Sequence, residues 1–252
     1  MANKSYIRKT INDFKKYCNH RYPDNAELSA LWDYVAGYTT SLNDILRYYS
    51  IPDDISKVSN SVINETVKES ITNLDNAFNS EFASTGIIDV FRTIDKEALE
   101  KAYGITEDNI DDYIGRVISD CGYMSTSSEC ISPWSGEAKW MDNEVVLHIT
   151  STIPMNYLDI NKIFRNSEID CNEQKEYLLQ RNLKLEIKSY TCRSGVVKYD
   201  KKKCICFIEV QIVNRKISES KNMKNTKKAL YESIMMAVAK EVKKALNESS
   251  KS

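Results

Sequence analysis

The sequence predicts an α+β fold, with helices over residues 1–80, a strand-rich core after residue 86 and a helix at the C-terminal end. Three observations carry that prediction. Apolar residues recur at helical spacing as far as Phe78, the period drops to two farther on, and strands do not alternate regularly with helices as a doubly wound parallel sheet requires.

Taken in order, Leu42, Ile45, Leu46 and Tyr49 share one face of a helical stretch over Leu31–Tyr49, which Ile51-Pro52-Asp53-Asp54 breaks. Ile63, Val67, Ile71, Leu74 and Phe78 form a second apolar stripe. Beyond Gly86, the β-branched runs Ile87–Phe91 and Val145–Ile149 read as strands. Leu183, Leu185 and Ile187 alternate with charged residues, and Cys206, Ile208, Val210 and Ile212 repeat the alternation. From Arg215 onward Leu230, Ile234, Val238, Val242 and Leu246 predict an amphipathic helix rich in lysine. The organisation expected is one domain over 1–214, helical over 1–80 and β-rich over 86–214, with a basic extension over 215–252.

Composition narrows the function. Thirty-five Lys and Arg against thirty-six Asp and Glu leave a net charge of −1. Ten basic and four acidic residues in 215–252 give +6, so residues 1–214 carry −7. Such a body weakens the case for a nucleic-acid acceptor, an option the basic extension partly restores. No stretch of about 18 apolar residues is present to span a bilayer, and Met1–Thr10 lacks the apolar segment of a secretory signal. The expectation is a cytoplasmic product, or one exported without an N-terminal signal, with no membrane partner. Seven scattered cysteines without Cys-x-x-Cys pairs and two histidines argue against a disulfide scaffold and against a metal site. Cys204 and Cys206 read as buried free thiols.

Three polar signals stand in order near the strands: Arg92 after Val90-Phe91, Ser125-Thr126-Ser127 after Gly122-Tyr123-Met124, and Gln174-Lys175-Glu176 before Tyr177-Leu178-Leu179. Singly they are a surface cation, a turn and a chance pairing. Their joint order resembles the arginine, Ser-Thr-Ser, Gln/Glu-x-Glu class of mono-ADP-ribosyltransferase toxins, the clostridial exoenzyme-like family. The flanks are similar too: Tyr38-Thr39 with Asn43-Asp44-Ile45-Leu46-Arg47, Leu74-Asp75-Asn76-Ala77-Phe78, Ile118-Ser119-Asp120-Cys121-Gly122, Thr152-Ile153-Pro154 and Gln180-Arg181. The chain departs from the family at Thr93, where Gly is frequent, and at Gln180, where Pro is frequent. In the segment 160–174, which recognises the acceptor in the family, the aromatic is the early Phe164.

The resemblance implies two packed, mainly antiparallel sheets and NAD as co-substrate without a metal. It also implies catalytic roles for Glu176, Gln174 and Ser125, and NAD contacts from Arg92, Arg47, Thr93, Thr126, Ser127 and Asn43. Elementary chemistry agrees. Breaking the nicotinamide–ribose bond creates positive character on the sugar, which a fixed carboxylate stabilises, as Glu176 would if a Ser125 hydroxyl oriented it. Arginine matches phosphate oxygens bidentately, the part given to Arg92 and Arg47. On an extended strand Gln174 and Glu176 would project to one face.

In this family Gln two before the glutamate accompanies asparagine modification in Rho-type GTPases or, in other branches, guanine modification. A macromolecular acceptor is therefore implied, a protein side chain before a nucleobase in RNA or DNA. The basic extension is a candidate surface for an inhibitor or antitoxin protein. A catalytically idle relative that binds NAD or a protein through the same cleft is the alternative of a different class.

Overall fold

The computed structural model describes residues 4–39, 41–129, 145–165, 175–196 and 202–213, leaving aside the side chains of 192–196 and 202–205. All of them lie in the first of the two units into which the chain divides, Met1–Arg215. Four helices come first: α1 (Lys4–Asp13), α2 (Ala26–Val35), α3 (Leu42–Tyr49) and α4 (Glu65–Ala77). They are followed by β1 (Ala83–Gly86), β2 (Asp89–Ile94), α5 (Lys96–Tyr103), β3 (Val117–Asp120), β4 (Met124–Ser127), β5 (Val145–Ser151) and β6 (Met155–Asp159). The short α6 (Ile160–Ile163), β7 (Glu176–Leu179), β8 (Leu183–Val196) and β9 (Lys202–Ile212) complete the order. The α+β class is as the sequence predicts.

Local chemistry sets the helix ends. Asn25 caps α2 by accepting from the Leu28 amide at 2.7 Å, and Asn64 caps α4 by accepting from Val67 at 3.0 Å. Asn64 also donates to the Ile11 carbonyl at 2.7 Å, so the start of α4 fastens the end of α1. The predicted stripe Ile63, Val67, Ile71, Leu74 and Phe78 is buried, each side chain contributing about 1.5–3 kcal/mol by leaving water. The stretch read as one helix over Leu31–Tyr49 is two. Gly37, at φ 83°, turns the chain after α2, and α3 ends at Ser50, whose left-handed φ of 47° lets the next amide, that of Ile51, return to the Leu46 carbonyl at 3.2 Å.

The strands hydrogen-bond in one nine-membered order, β1-β6-β7-β4-β2-β5-β9-β8-β3. Among the described strands, only β5 and β9 pair in parallel. Where two packed sheets were expected, a single order is found, thinned at its middle to one β2–β4 pair, Phe91 with Ser127. The strands β4 and β7 are buried on both faces and separate two apolar clusters. Tyr123 and Leu178 join the helices, whereas Met124 and Leu179 join Val90, Leu147, Leu185 and Ile208. Glu176 opens β7 two residues before Leu178, hence on the helix-facing side.

Cys206 departs from the free-thiol reading, since it is disulfide-bonded. Strand register puts the Cys192 backbone opposite it across β8 and β9. Cys18 and Cys121 are free. Among the described residues no helix is long and apolar enough to cross a membrane, and no group of three or more His, Cys, Asp or Glu could hold a metal ion. The predicted helix of 215–252, Gln174 and the Cys204 side chain lie outside the described residues.

Candidate active site

Two adjoining strands present the carboxylate. Pairing of β4 with β7 sets Ser127 opposite Glu176 and Ser125 opposite Leu178, so Ser125 lies diagonally across from Glu176 on the same face. The Ser125 hydroxyl faces the Glu176 carboxylate and favours its charged form. Thr126 faces the other way and donates to the Tyr177 carbonyl at 2.7 Å, locking the two strands together. The Ser127 hydroxyl accepts from the Glu129 amide at 3.2 Å. Glu176 is 4% exposed. Burial pushes its carboxyl above the ordinary value, and Ser125 offsets part of that rise.

Just before Glu176, Lys175 takes a left-handed φ of 41°, and β7 begins only at Glu176. The extended-strand argument for Gln174 therefore stops at Lys175, and Gln174 itself is outside the described residues. The turn is fastened on three sides. The Glu176 amide donates to Asn161 Oδ1 at 3.3 Å, Lys175 pairs with Glu129, and the Ser128 amide donates to the Lys175 carbonyl at 3.1 Å. Phe164 is buried against Trp32 and Tyr22, with ring centroids 5.4 and 6.4 Å away, and so anchors the segment before 166–174 to the helical layer.

A tyrosine absent from the sequence reading joins this site to its cations. The Tyr34 hydroxyl on α2 accepts from Asn43 Nδ2 at 2.7 Å and lies near enough to Ser125 to be influenced by it. Burial pushes its phenol above the ordinary value, while Arg92, Asn43, Ser125 and Arg47 oppose that shift. Tyr38, the tyrosine of the family-like Tyr-Thr pair, is 46% exposed. Asn43 spends its amide on positioning, donating to the Tyr123 carbonyl at 3.0 Å and accepting from the Tyr123 amide at 2.8 Å.

Arg47 and Arg92 line a groove of about 640 Å³ together with Tyr48, Ile94, Lys101 and Tyr103. Arg92 and Ile94 lie two apart on β2, and Thr93 between them takes the opposite face. Arg47 forks onto Asp120, Nε to Oδ1 at 3.0 Å and Nη2 to Oδ2 at 3.2 Å. The buried Nη1 of Arg92 finds no hydrogen-bond partner among the described residues. A buried cationic donor left over beside a groove fits the diphosphate of NAD.

The family model of ADP-ribosyltransferase exoenzymes matches residues 4–211. The chain belongs to that family. It is therefore an NAD-dependent mono-ADP-ribosyltransferase of the toxin type. No curated protein matches it in sequence. Among solved structures, an ADP-ribosyltransferase from Clostridium botulinum is similar at 17% identity and a TM-score of 0.51, over 85% of this chain and 98% of that one. C3larvin toxin from Paenibacillus larvae is similar at 22% identity and a TM-score of 0.50, over 79% and 100%. The ADP-ribosylating toxin BECa of C. perfringens, solved with NADH, gives 15% identity and a TM-score of 0.55, over 82% of this chain and 47% of that one. At these identities the likeness establishes the fold.

Proposed function

We propose that the protein transfers the ADP-ribosyl group of NAD to a protein side chain, of the asparagine type that the Gln174 and Glu176 pairing implies, and releases nicotinamide. Glu176 carries the reading. It is 4% exposed, and its carboxyl is influenced by burial and by Ser125 rather than by a cation. A buried carboxylate without a counter-ion among the described residues lowers stability, and such a cost is characteristic of a group placed for chemistry. Positive character developing on a ribose is the charge it would meet.

Supporting roles follow from the contacts. Ser125 orients the carboxylate, Tyr34 and Asn43 hold Ser125 in place, and Arg92 with Arg47 takes the diphosphate. The charge of −7 over residues 1–214 favours a protein over a nucleic acid.

The test incubates the protein and its Glu176→Gln variant with labelled NAD and cell lysate, then splits the product by protease and nuclease. NAD cleavage should fall at least about 100-fold in the variant while NAD binding persists, and the wild-type label should vanish with protease. Unchanged cleavage in the variant would remove Glu176 from the chemistry. Nuclease-sensitive label would move the acceptor to a nucleobase and make the basic 215–252 extension its track.

A further inference from the structure

Asp120 ends β3, lies 2% exposed, and stands in the sequence only as a flank of the Ser-Thr-Ser motif. It accepts four hydrogen bonds. Arg47 Nε at 3.0 Å and the Gly122 amide at 2.8 Å reach Oδ1, while Arg47 Nη2 at 3.2 Å and the Tyr103 hydroxyl at 2.7 Å reach Oδ2. An ionised carboxylate offers about four acceptor sites, so this one is full. Arg92 is near enough to influence it electrostatically and still keeps Nη1 without a partner among the described residues.

The arrangement divides the labour between the two arginines. The Asp120 charge balances one guanidinium and fixes the fork of Arg47. The saturated carboxylate cannot also accept from Arg92, whose donor is left to the groove. Arg47, Arg92 and Tyr103 all line that groove. Its third cation, Lys101, pairs with Glu97, so Arg92 is the lining cation that keeps a buried donor without a partner among the described residues. Gly122 completes the cradle, because a Cβ there would come within 2.8 Å of both Arg47 Nη2 and Asn43 Oδ1.

We infer that Asp120 is a positioning residue for NAD: it holds Arg47 in its fork, with Tyr103 as its brace, and by being saturated reserves Arg92 for the diphosphate. The inference rests on the NAD-binding reading of this groove. Asp120 touches neither the sugar nor the acceptor in this scheme, so its removal acts on binding rather than on bond cleavage.

The experiment measures NAD affinity by calorimetry, KM and kcat for NAD cleavage, and melting temperature, for the wild type, Asp120→Asn, Arg47→Gln and the double variant. Asp120→Asn should weaken NAD binding and raise KM about tenfold, with kcat at saturation within about threefold. Adding Asp120→Asn to Arg47→Gln should cost less than about threefold more, because one residue works through the other. Unchanged affinity in a folded Asp120→Asn protein, or losses that multiply in the double variant, would overturn the inference. Should Asp120→Asn fail to fold, Tyr103→Phe removes one of the four donors and leaves all three charges in place. It should weaken NAD binding about threefold at a nearly unchanged melting temperature, and unchanged affinity there would also overturn the inference. A wild type that does not bind NAD would instead overturn the reading beneath it.

Discussion

Two arginine–carboxylate pairs tie the helical layer to the strands, and they are mirror images in exposure. In one, the Arg181 side chain is 0% exposed and its partner Asp75 27%. In the other, the Asp120 side chain is 1% exposed and its partner Arg47 30%. Arg181 has spent its donors on Asp75 at 2.7 to 3.1 Å and on the carbonyls of Ile51, Pro52 and Asp53 at 2.7 to 3.0 Å. Those carbonyls follow the end of α3, so the guanidinium fixes the segment by which the chain leaves that helix. The Asp120 pair keeps its cation at a groove and has Arg92 beside it with a donor unspent. A pair whose arginine is enclosed acts as a staple, and a pair whose arginine reaches a groove is placed to meet a ligand.

The comparison breaks most visibly if the staple proves dispensable. Arg181→Ala takes the guanidinium away from three carbonyls and from Asp75, leaving the Tyr123 hydroxyl on Asp75 at 2.9 Å and the Asn182 amide on Ile51 at 3.1 Å, and the loss of one partner of a buried pair costs about 3–5 kcal/mol. The melting temperature should fall by roughly 10 °C, and NAD affinity in the protein that remains folded should stay near wild type. Thermal unfolding followed by circular dichroism measures the first and calorimetry the second. A small thermal shift with lost affinity would exchange the roles of the two pairs.

Arg92→Gln sharpens the other side. Removing a guanidinium with an unsatisfied buried donor relieves a cost, so the melting temperature should hold or rise slightly. NAD affinity should drop about tenfold, the worth of a charge-assisted contact to phosphate. A destabilisation as large as that of Arg181→Ala would show that Arg92 is a second staple.

How much of this could be read in the chain depends on the distance over which each signal acts. Arg92, Ser125 and Glu176 were legible because each sits in a short motif, and α4 was legible because its stripe is complete. Tyr34 was not. Its partner Ser125 lies on a distant strand, and the turn at Gly37 that buries Tyr34 and exposes Tyr38 was hidden inside one apparent helix. Asp120 and Arg181 look in the sequence like any charged residues, and only the packing of α3 and α4 against the strands distinguishes them. The short strands β1, β3 and β6 exist through their pairings and have too few residues for a period to declare itself.

The smallest expected effect is a shift along the pH axis, and it separates the carboxylate end of the site from the cation end. Burial raises the Glu176 carboxyl above its ordinary value, with the Ser125 hydroxyl working against that rise. Folding therefore favours the protonated form. The associated stability is fully present below the unfolded-state value, near 4.3, and is lost as pH rises through the raised folded value. Glu176→Gln keeps the shape and removes the titration, so its melting temperature should match wild type near pH 4 and exceed it at neutral pH. Activity has the opposite sign, since the reaction needs the carboxylate. The acid limb of NAD cleavage should fall at a pH above that of an ordinary glutamate, and Ser125→Ala should move it higher still by removing the group that favours the charged form. Arg92→Gln should weaken NAD binding and leave that limb near its wild-type position, because burial and Ser125, not Arg92, set the Glu176 carboxyl. A limb that moved with Arg92 and stood still with Ser125 would place the controlling charge at the groove and undo the division between the two ends.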